Sequence, residues 1–183
     1  IQDLDSLTTH SVTGWAMCMT SNRISYAFDL HGPSLTIDTA CSSALVALHA
    51  AVTSMQQGEC ESAMVCAVNA LLHPIHHVAF SRLSMLSPTS RCHAFDACGD
   101  GYVRSEGAGV VVLKPLAKAQ ADGDHIYATI LRTVVNSDGR NEGLTFPSVE
   151  GQIRLLRDSY AGLPVENVRY LEAHGTGTEL GDP

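Results

Sequence analysis

Apolar runs of strand length that alternate with helical patterns constrain the fold of this chain most strongly. Residues 62–69 and 107–113 are almost continuously apolar, which is the pattern of strands covered on both faces of a sheet. Further strands are predicted at 34–37, 126–135 and 168–173. Helices are predicted at 41–57, 74–83, 116–121 and 150–160. This alternation predicts a layered α/β fold built on a parallel sheet.

Composition and charge exclude several classes of protein. The chain has 183 residues, of which 45% are hydrophobic, enough for a sizeable core. A net charge of -8 with only 11 Lys and Arg residues argues against nucleic-acid binding. No apolar stretch approaches the ~20 residues of a membrane span, and no signal-peptide pattern is present, so a cytoplasmic location is expected. The six cysteines lack paired zinc-ligand spacing and are expected to be reduced thiols, so no metal is predicted.

A candidate nucleophile lies where a predicted strand turns into a long apolar helical pattern. Residues 34–37 lead through 38–40 to Cys41, and the helical pattern follows at once. The pattern places Cys41 in the first turn of a buried helix, where unsatisfied N–H groups and the helix dipole favour a thiolate over a thiol. The same N–H groups are suited to holding an oxyanion.

A second candidate is His174, which follows the predicted strand 168–173 and enters a loop rich in glycine and threonine. The carboxyl ends of parallel strands meet at the edge of a sheet where α/β sites form. The strand ends before Cys41 and His174 are therefore candidates for one pocket.

Three long motifs carry a specific resemblance. They are Asp38-Thr-Ala-Cys-Ser-Ser43, the stretch 91–109, and Glu172-Ala-His-Gly-Thr-Gly-Thr-Glu-Leu-Gly-Asp-Pro183. In this order they resemble the β-ketoacyl synthase (ketosynthase) domains of type I polyketide synthases, with animal fatty acid synthases close behind. The resemblance runs from about Gly14 to the last residue.

The resemblance implies a decarboxylative Claisen condensation. Cys41 would accept an acyl group from the phosphopantetheine of an acyl carrier protein, and a malonyl group on the carrier protein would then lose carbon dioxide and attack the thioester. His174 matches the histidine that assists decarboxylation. Thr176 and Thr178 match the threonines that bind the pantetheine arm. No cofactor belonging to the chain itself is implied.

The resemblance also implies a thiolase-like α/β/α/β/α layered fold, incomplete in this fragment. Residues 1–115 would form most of the N-terminal half of the domain, and residues 116–183 the connection and the start of the C-terminal half. A homodimer is implied for the full domain. The family's second histidine and its lysine lie in a Lys-Ser-Asn-Ile-Gly-His motif that this sequence does not contain. We therefore expect the 183-residue chain alone to lack condensing activity.

Two other functions share the fold. One is a ketosynthase-like structural or chain-length partner without turnover, and Cys41 argues against it because such partners generally replace that cysteine. The other is a thiolase-type acyltransferase, and the His-Gly-Thr-Gly-Thr loop favours the ketosynthase form. The acyl chain length, the extender unit and the choice between polyketide and fatty acid pathways are not readable from these residues.

Overall fold

A computed structural model describes residues 4–141, 143 and 146–182. Its α-helices are α1 (Ser11–Trp15), α2 (Met19–Ala27), α3 (Ser43–Gln56), α4 (Ile75–Arg82), α5 (Leu116–Asp122) and α6 (Val149–Tyr160). Its strands are β1 (Ala63–Asn69) and β2 (Gly107–Leu113), which are hydrogen-bonded neighbours in one sheet. The helices and strands alternate from α3 to α5, as the sequence pattern predicts.

The chain divides into two compact units. The first contains the chain up to Ala67 together with Val110–Thr133, and the second contains Val68–Gly109 together with the chain from Val134 onward. In the first unit, the ring Nδ1 of His49 on α3 lies 2.8 Å from Oγ1 of Thr133. This contact ties the middle of α3 to a segment 84 positions later in the sequence.

The strands and helices with the strongest local patterns are confirmed. The predicted strands 62–69 and 107–113 are β1 and β2, and the predicted helices 41–57, 74–83, 116–121 and 150–160 are α3, α4, α5 and α6. The predicted strands 34–37, 126–135 and 168–173 are wrong for this chain, since the structure assigns no strand there. A strand requires a hydrogen-bonded neighbour, and within the described residues the sheet contains only β1 and β2.

The predicted burial is also corrected. Val110, Val111 and Val112 at the centre of β2 are 58%, 50% and 69% exposed, although their pattern predicts a strand covered on both faces. No residue of α3 is buried. An apolar run becomes buried only when other layers cover it, and the described residues place few side chains against these faces. The result is an apolar surface on β2 that lies open to solvent, whereas most of α3 is half-buried.

Helix α6 shows how sequence fixes a local boundary. Ser148 precedes it with an extended backbone, and its hydroxyl accepts a hydrogen bond from the N–H of Gly151 at 3.1 Å. Glu150 lies in the first turn and Arg157 in the last, which complements the helix dipole at both ends. Gly151 is buried with an ideal Cβ position 2.4 Å from Oδ1 of Asp138, so a side chain there would displace that carboxylate. Capping and close packing together define the start of the helix.

Replacing Ser148 by alanine is expected to release the first turn of α6. Loss of an N-cap costs about 1 kcal/mol, so amide exchange at Gly151 should accelerate roughly fivefold by local opening. Hydrogen exchange followed by NMR measures this change. Ser159→Ala is the matched control, because the Ser159 hydroxyl donates to the Leu155 carbonyl inside the helix and caps nothing. Equal exchange rates at Gly151 in the wild type and Ser148→Ala would contradict the capping role.

Candidate active site

Cys41 lies in a sharp turn immediately before α3. Ser42 is the N-cap of the helix, so Cys41 lies one residue before the N-cap. The prediction that Cys41 lies in the first turn of the helix is therefore wrong. The Cys41 side chain is exposed. The residue before it, Ala40, has φ of 56°, a left-handed conformation that non-glycine residues rarely adopt. The cysteine is therefore presented at the corner of a strained turn.

Polar side chains hold this turn in place. The Asp38 carboxylate accepts a hydrogen bond from the Ala40 N–H at 3.0 Å. The Ser43 hydroxyl accepts from the Thr39 N–H at 2.8 Å and donates to the Ala40 carbonyl at 2.6 Å. A left-handed alanine costs about 1–2 kcal/mol, and hydrogen bonds of roughly 1 kcal/mol each are of the size needed to offset it. The turn is thus fixed by its own short-range contacts.

His174 begins a Gly- and Thr-rich segment, residues 174–181, which we call the His174 loop. Its histidine side chain is exposed, whereas Gly177 is buried. Gly175 and Gly177 have φ of 51° and 69°, conformations that favour glycine. The hydroxyls of Thr176 and Thr178 lie 2.8 Å apart, so the structure brings these two predicted binding residues together.

A second loop, residues 91–101, packs directly against the His174 loop, and we call it the Phe95 loop. The Gly101 N–H donates to the Gly177 carbonyl at 2.9 Å. A Cβ at Gly99 would lie 2.8 Å from that same carbonyl oxygen, and a Cβ at Gly177 would lie 3.0 Å from the His93 nitrogen. The two backbones therefore approach more closely than side chains would permit. Residues 87–101 contain no helix or strand.

Asp182 lies at the centre of this contact. Its Oδ2 accepts from the Phe95 N–H at 2.7 Å and from the Gly177 N–H at 2.9 Å. Its Oδ1 accepts from the Thr176 hydroxyl at 3.3 Å. The hydrogen bond from the Phe95 backbone N–H is the main cause that lowers the pKa of Asp182 below its ordinary value, with the Gly177 N–H adding to it.

Sequence reasoning missed Asp182. One local feature could have indicated it: Asp182 is an acidic residue directly after a Gly-rich loop, where a carboxylate can accept hydrogen bonds from backbone N–H groups. Its partner Phe95 lies 87 positions earlier, so no local pattern indicates the contact.

Two further carboxylates brace the neighbouring backbone. Asp100 accepts from the Thr89 hydroxyl at 2.9 Å, and hydrogen bonds from Ser87 and then Thr89 lower its pKa. Glu106 accepts from the Leu71 N–H at 2.6 Å. Each carboxylate therefore links two neighbouring segments of the chain.

The predicted site residues are divided between the two units. Cys41 belongs to the first unit, and His174, Thr176 and Thr178 belong to the second. Among the described residues no cluster of three or more His, Cys, Asp or Glu side chains is suited to hold a metal ion. In the same part of the chain, no helix is long and apolar enough to cross a membrane.

Family profiles match almost all of the chain. Residues 2–119 match the β-ketoacyl synthase N-terminal domain, and residues 127–183 match the β-ketoacyl synthase C-terminal domain. The chain belongs to the β-ketoacyl synthase family. Its relatives are ketosynthase regions of polyketide synthases, and its fold is the thiolase-like ketosynthase fold.

Curated relatives are large fungal enzymes. The chain is 51% identical to the polyketide synthase-nonribosomal peptide synthetase ACE1 of Pyricularia oryzae, with 100% of this chain and 5% of that protein aligned. It is also 51% identical to the highly reducing polyketide synthase ACTTS3 of Alternaria alternata, with 100% of this chain and 8% of that protein aligned. The chain thus spans less than a tenth of either relative.

Solved structures give the same fold. The oxazolomycin ketosynthase domain OzmH KS7 of Streptomyces albus superposes with a TM-score of 0.89 at 43% identity, over 92% of this chain and 30% of that chain. The ketosynthase from module 6 of the bacillaene synthase of Bacillus subtilis gives a TM-score of 0.90 at 40% identity, over 100% of this chain and 33% of that chain. This chain spans about a third of those ketosynthases.

Gly101→Ala is expected to displace the Gly101 backbone, whose N–H donates to the Gly177 carbonyl, away from the segment at Leu86 and Ser87. Gly101 has φ of 128°, and a Cβ there would lie 2.6 Å from backbone atoms of Leu86 and Ser87. Backbone overlap and a disfavoured φ together should lower the free energy of unfolding by more than about 2 kcal/mol, measured by denaturant titration.

Gly107→Ala is the matched control for this substitution. Gly107 lies in β2 with nothing within 4 Å of its Cβ position and no positive φ. Its replacement should leave stability unchanged or raise it by about 0.5 kcal/mol. Equal effects of the two substitutions would refute the close-packing argument.

Proposed function

We propose that this chain is the part of a polyketide-synthase ketosynthase that carries the acyl-accepting cysteine and the first active-site histidine. The observation that carries the proposal is the exposed Cys41 at a strained, hydrogen-bonded turn before α3. Membership of the β-ketoacyl synthase family supports the same reaction class. The complete enzyme would be an acyltransferase that forms carbon–carbon bonds in polyketide biosynthesis.

In the first half-reaction, the Cys41 thiolate attacks the thioester carbonyl of an acyl group carried on phosphopantetheine. The tetrahedral oxyanion collapses and expels the pantetheine thiolate of the acyl carrier protein, which leaves the acyl group on Cys41. The Cys41 backbone N–H lies beside the N-terminus of α3 and is our candidate for one oxyanion-hole donor. A thioester keeps the acyl carbonyl electrophilic for the second half-reaction.

In the second half-reaction, a malonyl-type group on the carrier protein loses carbon dioxide. The carbanion equivalent attacks the Cys41 thioester, the C–S bond breaks, and a β-ketoacyl group remains on the carrier protein. We assign His174 to stabilising the enolate that develops during decarboxylation. Its exposed imidazole on a loop held at Gly177 supports this role, because a charge-stabilising group needs a fixed position.

We assign Thr176 and Thr178 to binding the pantetheine arm. The paired hydroxyls, 2.8 Å apart and half-buried, support this role. The carrier protein is then the partner, the phosphopantetheine arrives with it, and no cofactor belongs to the chain itself. We also propose that the full domain forms a homodimer and that its N-terminal half ends at about residue 115.

A mass-spectrometric adduct on Cys41 tests the acyl-accepting step. The complete ketosynthase that carries this chain is mixed with an acyl carrier protein thioester, digested and analysed for an acylated peptide containing Cys41. We expect one acyl group on Cys41 in the wild type and none in Cys41→Ala.

Cys98→Ala is the matched control, because Cys98 is also an exposed free thiol but lies in the Phe95 loop. It should acylate like the wild type. A wild type that stays unmodified would overturn the condensing function and favour a structural partner, and an adduct on another cysteine would overturn the choice of Cys41.

A further inference from the structure

The hydrogen bonds that Asp182 accepts determine which hydroxyl groups of Thr176 and Thr178 act as donors. An ionised carboxylate only accepts hydrogen bonds, so the Thr176 hydroxyl must donate its proton to Asp182. Thr176 then has no proton left for Thr178, and the 2.8 Å contact between the two hydroxyls requires Thr178 to donate. The chain runs from Thr178 to Thr176 to Asp182.

This direction decides what the threonines present to a ligand. Both hydroxyl protons are taken up by the hydrogen bonds between Thr178, Thr176 and Asp182, so only the oxygen lone pairs remain for a bound molecule. Amide N–H groups of a pantetheine arm are donors and match such acceptors.

The same carboxylate joins two loops that are far apart in sequence. Through Oδ2 it holds the Phe95 N–H of one loop and the Gly177 N–H of the other. Gly177 also accepts from the Gly101 N–H, so the backbone around Gly177 is held from both sides. His174 lies three residues before Gly177, and within the described residues its exposed side chain makes no hydrogen bond of its own.

We propose that Asp182 is a positioning residue, which fixes the His174 loop against the Phe95 loop and orients the Thr176 and Thr178 hydroxyls as acceptors. This role rests on the proposed function, since it places the histidine and the pantetheine site of that reaction. The lowered pKa of Asp182 agrees with an anion that is held by backbone donors at neutral pH.

Two variants separate the two parts of the role. Asp182→Ala removes all three acceptor contacts. Asp182→Asn keeps an amide oxygen for the Phe95 and Gly177 N–H groups, but its NH₂ group faces Thr176 as a donor and reverses the hydroxyl chain. Kinetic constants are measured on the complete ketosynthase with an acyl donor and a malonyl carrier protein.

We expect Asp182→Ala to lower kcat for condensation about 10- to 100-fold, because displacement of a catalytic group by about 1 Å has effects of that size. Asp182→Asn should recover kcat to within about threefold of the wild type, while its KM for the malonyl carrier protein rises about fivefold. Alkylation of Cys41 by iodoacetamide should stay within about twofold in both variants. A purely structural role would instead move the alkylation rate and the melting temperature together with kcat.

Asp96→Ala is the matched control. Asp96 is a carboxylate of the same Phe95 loop, but it accepts from the Cys98 N–H at 2.8 Å within its own turn. Its kcat should stay within about threefold of the wild type.

The outcomes distinguish the two proposals. A wild-type enzyme that makes no β-ketoacyl product overturns the proposed function and the role of Asp182 in it. An active wild type with unchanged kcat in Asp182→Ala overturns the positioning role alone. Equal loss of kcat in the alanine and asparagine variants with an unchanged KM would overturn the hydroxyl orientation.

Discussion

The close approach of two loops at Gly177 is the contact on which the second unit depends. Gly99 and Gly177 let the two backbones approach, because a Cβ at either position would crowd backbone atoms of the other loop. Gly101 donates to the Gly177 carbonyl and itself packs against the backbone of Leu86 and Ser87. A single carboxylate, Asp182, then satisfies N–H groups on both sides. Glycine supplies the space and the anion supplies the attraction, so neither is sufficient without the other.

The Cys41 turn is held in a different way. Within the described residues, the hydrogen bonds that hold this turn span at most four positions, from Asp38 to Ala40 and from Thr39 to Ser43. A turn that carries its own hydrogen bonds keeps a left-handed alanine without help from distant segments. The two parts of the proposed site therefore have different requirements: a local one for the nucleophile and a long-range one for the histidine loop.

The sequence was sufficient where structure is local. Apolar runs of seven residues gave β1 and β2, amphipathic spacing gave α6, and three motifs identified the family. It failed where structure depends on neighbours: residues 126–135 have the composition of a strand but no hydrogen-bonded partner among the described residues, and β2 is apolar yet exposed. Strand pairing and burial both depend on neighbouring segments, which a local pattern does not specify. Asp182 was missed because its partner Phe95 is remote in sequence.

The central claim is that Asp182, as an anion, holds the amides of Phe95 and Gly177. Because the folded pKa is lowered, the stabilisation is fully present above 3.8 and is lost as the pH falls through the folded pKa. NMR titration of these two amide signals is the most direct test. The account predicts that both move together with one midpoint below 3.8 and that Asp182→Asn abolishes the transition. A midpoint at or above 3.8, or a transition that survives Asp182→Asn, would contradict it.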